Sequence, residues 1–252
     1  MGTLVLDIET ASPFEEPKEN ETEYFEWLSV AVAFVGDDGE TDTEVLFRRG
    51  DWRDEHTADL LDRLVLWCAE RDIDRTLTYN GARFDVKHLV NWAASLEAKN
   101  VRRDAVSDLL TCFPHHVDVA KAAADVHEAE LWDEQVVLPD WKAYQLEGID
   151  NDTVWYRDYD FNPDFFEQLG IDDRMVKGAH VGRVLGERYV DGVAAGLHET
   201  RTHRELRRLL TDYSLSDVVD LFRLYESLGG AQLDETYHYP ADAVTDTLDR
   251  RR

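Results

Sequence analysis

The chain opens on an apolar run, Leu4-Val5-Leu6, closed by the acid Asp7. Such a run suits a central strand buried on both faces, here Thr3–Asp7. Trp27–Val35 (WLSVAVAFV) reads as a second strand and Glu44–Arg48 (EVLFR) as a third, with Asp37-Asp38-Gly39 as the turn between them. From Asp54 to Arg71, Leu60, Leu61, Leu64, Trp67 and Cys68 recur at helical spacing, which predicts an amphipathic helix. Arg75–Tyr79 (RTLTY) is a short strand, Gly81 marks a turn, and a helix is expected over about Arg83–Leu96. His116–Ala120 (HVDVA) reads as a fifth, short strand.

The middle of the chain, about 121–170, mixes many acids with Trp132, Trp141, Tyr144, Trp155, Tyr156, Tyr159, Phe161, Phe165 and Phe166. Short helices and loops are expected there, as an insert and not a second domain. Two helices are predicted after it, about Asp173–Tyr189 and Glu199–Leu228. Beyond Gly229-Gly230 the composition turns polar, and residues 231–252 read as a loose tail. Residues 1–230 thus form one α/β domain. Three hairpin-linked strands, then helix, strand, helix and strand, describe a mixed five-stranded sheet flanked by helices. Several α/β folds have that order, so the residues that carry chemistry must decide among them.

The charge balance changes the picture. There are 54 acids against 27 basic residues, a formal net charge of −27, and the acids are spread along the whole chain. At ~1 M salt the Debye length falls to ~3 Å, so repulsion among surface carboxylates is largely screened. The composition suits the cytoplasm of an extreme halophile. It does not exclude nucleic acid as a substrate, but it places phosphate binding on local contacts and metal ions, because long-range steering fails in such salt. No stretch approaches the roughly 18 apolar residues of a membrane helix, and the N-terminus lacks the regions of a signal peptide. A soluble, cytoplasmic protein is expected. Cys68 and Cys112 form no CxxC pair and read as small core residues.

Three acidic motifs stand out. In Leu6-Asp7-Ile8-Glu9-Thr10 the two acids are two apart, so on a strand both side chains point the same way. They can present two carboxylates to one hard cation; two solvated acids on an acid-rich chain are the plain alternative. In Tyr79-Asn80-Gly81-Ala82-Arg83-Phe84-Asp85 a strand ends, a turn follows, and an acid enters the first turn of a helix, where the helix dipole alone would favour it. In Tyr213-Ser214-Leu215-Ser216-Asp217, Tyr213 and Asp217 are four apart and share a helix face.

Taken together, DIET, YNGARFD and YSLSD resemble the three exonuclease motifs of the DEDD superfamily of 3′–5′ exonucleases, D-x-E, N-x(2–3)-F-D and Y-x(3)-D. The second motif is similar to that of family B DNA polymerase proofreading domains, and the D-V after the third to stand-alone RNase H-like exonucleases. The resemblance spans about residues 3–228. Tyr213, four before the last Asp, indicates the tyrosine subtype; the position five before, which carries His in the other subtype, is Asp212. The resemblance implies an RNase H-like fold and two divalent cations, Mg or Mn. Asp7, Glu9 and Asp217 would hold the first, and Asp7 would bridge to the second, which Asp85 supports. Tyr213 would orient the attacking water. Asn80 would support the second motif, with Phe84 packed beneath it, and both are candidate substrate-binding residues.

A local excess of arginine precedes the third motif, and Arg204 and Arg208 are candidate phosphate contacts, with salt bridging to the many carboxylates as the alternative. The aromatics of 132–166 either stack the bases of a strand or pack the insert's core. The expected function is metal-dependent 3′–5′ exonuclease action on single-stranded DNA or RNA ends, with no membrane partner. Two other readings stay open: a catalytically inactive RNase H-like module that binds nucleic acid or protein, and a proofreading subunit serving a separate polymerase or repair partner.

Overall fold

The computed structural model describes residues 1–12, 21–132 and 135–239. Its centre is a five-stranded sheet in the order β3-β2-β1-β4-β5, built from β1 (Gly2–Ala11), β2 (Glu26–Gly36), β3 (Thr41–Phe47), β4 (Ile73–Thr78) and β5 (His116–Asp118). The first three strands pair antiparallel, and β4 and β5 join parallel to β1. This is the α/β class with the mixed, helix-flanked sheet that the sequence predicts.

Alternation along β1 sorts its side chains between two cores. Leu4, Leu6 and Ile8 face α1 (Asp54–Ala69), α2 (Asp85–Ala98) and α3 (Ala105–Leu110), and meet Leu60, Leu64, Leu89, Leu96 and Leu109. Val5 faces the other way, with Leu77 and Val117, towards α4 (Val119–Val126) and α5 (Asp140–Leu146). Period two therefore puts Asp7 and Glu9 on the Val5 face. Cys68 and Cys112 are free thiols buried in the first core. Among the described residues no helix is long and apolar enough to cross a membrane.

The insert holds short elements, as expected: α4, α5, a 3-10 turn at Tyr156–Asp158 and α6 (Phe165–Gln168). Two predicted helices differ from the sequence reading, and the fifth strand is shorter than expected, ending at Asp118 where α4 begins. The helix placed at Asp173 begins only at α7 (Gly178–His180), because Arg174 to Val176 pair backbone to backbone with Val154 to Tyr156. From α7 the chain runs through a π turn, Val181–Leu185, into α8 (Gly186–Ala194). The single helix expected over Glu199–Leu228 is broken at Asp220 into α9 (Arg201–Val219) and α10 (Leu221–Leu228). The break serves two cores: α9 buries Leu206, Leu209 and Leu210 against Leu28 and Leu185, whereas α10 turns Leu221, Leu224 and Tyr225 towards Val117 and Ala123.

The loose tail also needs correcting over residues 231–239. Leu233 is buried, and α11 (Asp234–Tyr237) is docked through Asp234, whose carboxylate accepts from Arg75 Nε at 2.9 Å and from the Tyr225 hydroxyl at 2.6 Å. Tyr239 then donates its N–H to the His116 carbonyl at 2.7 Å. A polar stretch is held here by ion pairing across the sheet. Residues 240–252 lie outside the described residues.

Candidate active site

The site forms where the sheet opens. The β1–β4 ladder stops at Val5 and Leu77, while β1 runs on beside β2 to Ala11. Asp7 and Glu9 lie on this overhang. After β4 the chain turns away through Asn80, which takes the left-handed conformation at φ 61°, and Gly81. A Cβ on Gly81 would stand 2.2 Å from Thr78 Oγ1, so only glycine allows the close approach.

The turn is fastened by a residue to which the sequence reading gave no role. Asp118, at the end of β5, is buried and accepts from the N–H groups of Asn80 (2.8 Å), Ala82 (3.2 Å) and Ala120 (3.2 Å). In sequence it is one more acid in an acid-rich chain, in the middle of the run read as the strand His116–Ala120, and nothing there marks it out. The fastened turn delivers Asp85 to the first turn of α2, where it is buried and its Oδ1 accepts from the Ile8 N–H at 3.0 Å.

From the other side α9 supplies the third motif. Ser214 is buried, with its hydroxyl 3.5 Å from Glu9 Oε1. Tyr213 and Asp217 are one helical turn apart. Carboxylate oxygens of Asp7, Glu9 and Asp217 lie within 4.8 Å of one another. Asp85 lies outside that trio but acts on it: burial above all pushes Asp7 well above the usual carboxylate range, and Asp85, then Asp217 and Glu9, add to the effect. Burial raises Glu9 in the same way, followed by Asp217 and Asp85, with the Ser214 hydroxyl opposing. Asp217 is pushed up to about 8 by burial and by Asp140 and Asp85. Asp85 rises less, to about 7, because the burial effect is opposed by backbone hydrogen bonds, that from Ile8 foremost. Crowded, desolvated carboxylates of this kind hold protons unless cations replace them.

Burial is also the main cause that keeps the Tyr213 phenol protonated, with Glu9, Asp217 and Asp7 adding to it. The hydroxyl faces Gly178, where a Cβ would stand 3.3 Å from the oxygen. Beside Tyr213 and Asp217 opens a cleft of about 570 Å³, walled by Asp140, Trp141 and Tyr144 of α5 and by Met175 and Lys177 among others. Asp140 is a further acid without a role in the sequence reading; in sequence nothing separates it from its acidic neighbours.

The remaining candidates fall elsewhere. Asn80 Oδ1 is buried at the turn without a hydrogen-bond partner among the described residues. Phe84 sits edge-on to Phe25 and His88, at 5.5 and 4.5 Å, against the core of Leu4, Leu6 and Ile8. It therefore packs beneath the turn, on the face of the sheet opposite the carboxylates. Arg204 and Arg208 lie away from the Tyr213 face of α9. They stand nine and five residues before Tyr213, which is roughly 180° and 140° around the helix at 3.6 residues per turn. Arg208 donates to the Asp158 carbonyl at 2.5 Å and lies over the Tyr159 ring, and Arg204 lies 3.8 Å from Glu199. His180 and His203 are structural, bonded to the Tyr156 hydroxyl and the Tyr189 carbonyl, and His198 is an exposed residue beside Glu199.

No family model matches the sequence, and no curated protein matches it. Among solved structures the fold is similar to the family B DNA polymerase of the hyperthermophilic archaeon Pyrobaculum calidifontis, with a TM-score of 0.50 and 18% identity over 94% of this chain and 27% of the polymerase. The chain thus spans about a quarter of that protein's length. At lower TM-scores it aligns with an ExoI/SSB-Ct complex (0.40, 14% identity, 83% of this chain and 43% of the other). It aligns likewise with E. coli Exonuclease I in complex with a dT13 oligonucleotide (0.37, 14%, 83% and 43%). At such identities the likeness is one of fold.

Proposed function

We propose that the chain is a metal-dependent 3′–5′ exonuclease that hydrolyses single-stranded DNA or RNA ends, of the tyrosine-containing DEDD kind. The observation that carries the reading is the meeting of Asp7, Glu9 and Asp217 within 4.8 Å, from a strand overhang and a distant helix. A trio of crowded carboxylates, Glu9 buried and Asp7 and Asp217 half-buried, destabilises a fold that has no cation for it. Its donors are all carboxylate oxygens, which suits Mg or Mn.

Asp7, Glu9 and Asp217 would hold one cation, and Asp7 with Asp85 a second. Bound there, the two ions supply Lewis-acid stabilisation of phosphoryl charge and lower the pKa of an attacking water. The protein's own groups do the rest. Asp118 and the Ile8 N–H hold Asp85 against β1, so its carboxylate cannot swing away as charge builds up. Tyr213 keeps its proton and therefore acts as a hydrogen-bonding positioner of water or phosphate, not as a base. Gly178 leaves its hydroxyl free at the cleft.

The test is an assay with Mn²⁺ at molar salt on 5′- and 3′-labelled DNA and RNA oligonucleotides. A 5′ label should appear in a ladder shortened from the far end, and a 3′ label should leave first, as a mononucleotide. Internal fragments alone would mark an endonuclease. Binding without any release would leave the inactive module.

A further inference from the structure

The sequence has seven tryptophans, and six of them have a partner for their ring. Trp27 and Trp92 stack on each other with centroids 5.6 Å apart. Trp52 and Trp67 lie under the guanidinium groups of Arg48 and Arg71, Trp132 under the ammonium of Lys142, and Trp155 under the guanidinium of Arg157. Among the described residues Trp141 alone has neither ring nor cation against its indole. It is 62% exposed, and it stands in the wall of the cleft that Tyr213 and Asp217 share. An exposed indole has a large apolar area to bury, and its flat face is the shape of a nucleobase.

The charge of the cleft narrows the occupant. Apart from Asp217, which the proposed cation would take, its walls carry Asp140, Asp150 and Asp152 against one basic residue among those described, Lys177, whose ammonium is taken by Asp173 at 2.7 Å. This wall repels phosphates, so a polyanion is held here through something other than its charge. A base offers that: a π-face, independent of base identity and insensitive to salt compared with phosphate contacts. Inside a duplex both faces of each base are already stacked, whereas a single strand has faces to give along its length.

We propose that Trp141 is the stacking platform for a base of the strand that the cleft receives, a subsite for single-stranded nucleic acid of any sequence. The proposal deepens the nuclease reading and rests on it for the position of the reacting end.

The experiment measures kcat and KM of wild type, Trp141→Ala, Trp141→Phe and Trp132→Ala on 5′-labelled single strands with Mn²⁺. Matched strands carry an abasic residue at the 3′-terminal, second or third position. Trp141→Ala should raise KM about tenfold, within what one base–aromatic stack contributes, with a much smaller change in kcat. Trp141→Phe should keep most of the affinity, and Trp132→Ala should match wild type. An abasic residue at the stacked position should raise the wild-type KM to the Trp141→Ala value and add nothing in that variant. A wild-type KM for Trp141→Ala, or a penalty undiminished on every abasic strand, overturns the proposal. If wild type cleaves nothing, the nuclease reading fails by itself, and binding of a fluorescent strand without metal decides the stacking. Affinity lost in Trp141→Ala but not on the abasic strand supports the platform. Equal affinities, or no binding by wild type, overturn it.

Discussion

The Oδ1 atom of Asp85 accepts a hydrogen bond from the backbone N–H of Ile8, 3.0 Å away, at the point of β1 that lies between Asp7 and Glu9. The bond joins two motifs 77 residues apart. It also satisfies a buried donor of β1 beyond the end of the β4 ladder, so one carboxylate has two duties: it closes the sheet and adds charge to the site.

Two substitutions separate those duties. Asp85→Asn keeps an oxygen that can accept from Ile8 and removes a charge from a crowded site. Asp85→Ala leaves the N–H buried and unpaired, which costs about 1–3 kcal/mol. In metal-free protein the Asn variant should be at least as stable as wild type, and the Ala variant about 1–3 kcal/mol less stable than the Asn variant. Both should lose metal-dependent hydrolysis. Urea denaturation checks the first part; coincident midpoints for the two variants would show that the bond anchors nothing.

Divalent ions should stabilise the fold through the trio. Binding to the native state alone raises stability by RT ln(1 + [L]/Kd). At constant ionic strength Mn²⁺ should raise the melting temperature of wild type, and Asp7→Ala should lose most of that rise. The control matters in a chain of net charge −27: equal shifts in both proteins would mean that Mn²⁺ acts on the acidic surface at large.

Stability should also depend on pH in a direction set by the site. Asp85 and Asp217 titrate at about 7 and about 8, both raised mainly by burial, whereas an unfolded chain releases these protons near its ordinary carboxylate value. The folded state thus binds more protons across that window. The contribution is greatest below about pH 4 and is lost progressively as pH rises to about 8. Metal-free wild type should show a falling urea midpoint between about pH 5 and 8, and Asp217→Asn a shallower fall. Identical slopes would remove Asp217 from the account. Mn²⁺ at the upper end of the range should restore what is lost.

Tyr213 should matter to rate and not to affinity. Tyr213→Phe keeps the ring in its place and deletes only the hydroxyl. Hydrolysis should slow by ~10²-fold, the low end for one positioned group, with strand binding nearly unchanged. Asp7→Asn, which removes the negative charge of the ligand that both proposed cations would share, should abolish turnover. Single-turnover kinetics alongside binding isotherms distinguish the two effects, and a Tyr213→Phe enzyme as fast as wild type would take the hydroxyl out of the mechanism.

Local periodicity made much of this molecule legible in its sequence. The unbroken Leu4-Val5-Leu6 identified a central strand because burial on both faces leaves no polar position. Leu60, Leu61, Leu64, Trp67 and Cys68 identified α1 because all of them lie on one face of a helix, and all are buried. The spacing of two between Asp7 and Glu9, and of four between Tyr213 and Asp217, told which pairs share a face. The same helical phase, applied to Arg204 and Arg208, would have turned them away from Tyr213. The helix break at Asp220 was hidden because both of its halves are periodic, and only the presence of two separate cores makes them turn.

What the sequence determined by itself was thus each element's period and the chemistry of three motifs, because both reside in neighbours along the chain. Which acids matter was decided by the tertiary structure. Asp118 and Asp140 look like any other of 54 acids until β5 carries one to the Asn80 turn and α5 brings the other to the cleft wall. Trp141 looks like six other tryptophans until the fold gives partners to those six. Asp234 reads as part of a loose tail until Arg75, 159 residues away, takes its carboxylate. Burial, partnership and pKa are properties of surroundings, and the surroundings of these side chains come from segments far apart in sequence, which only packing brings together.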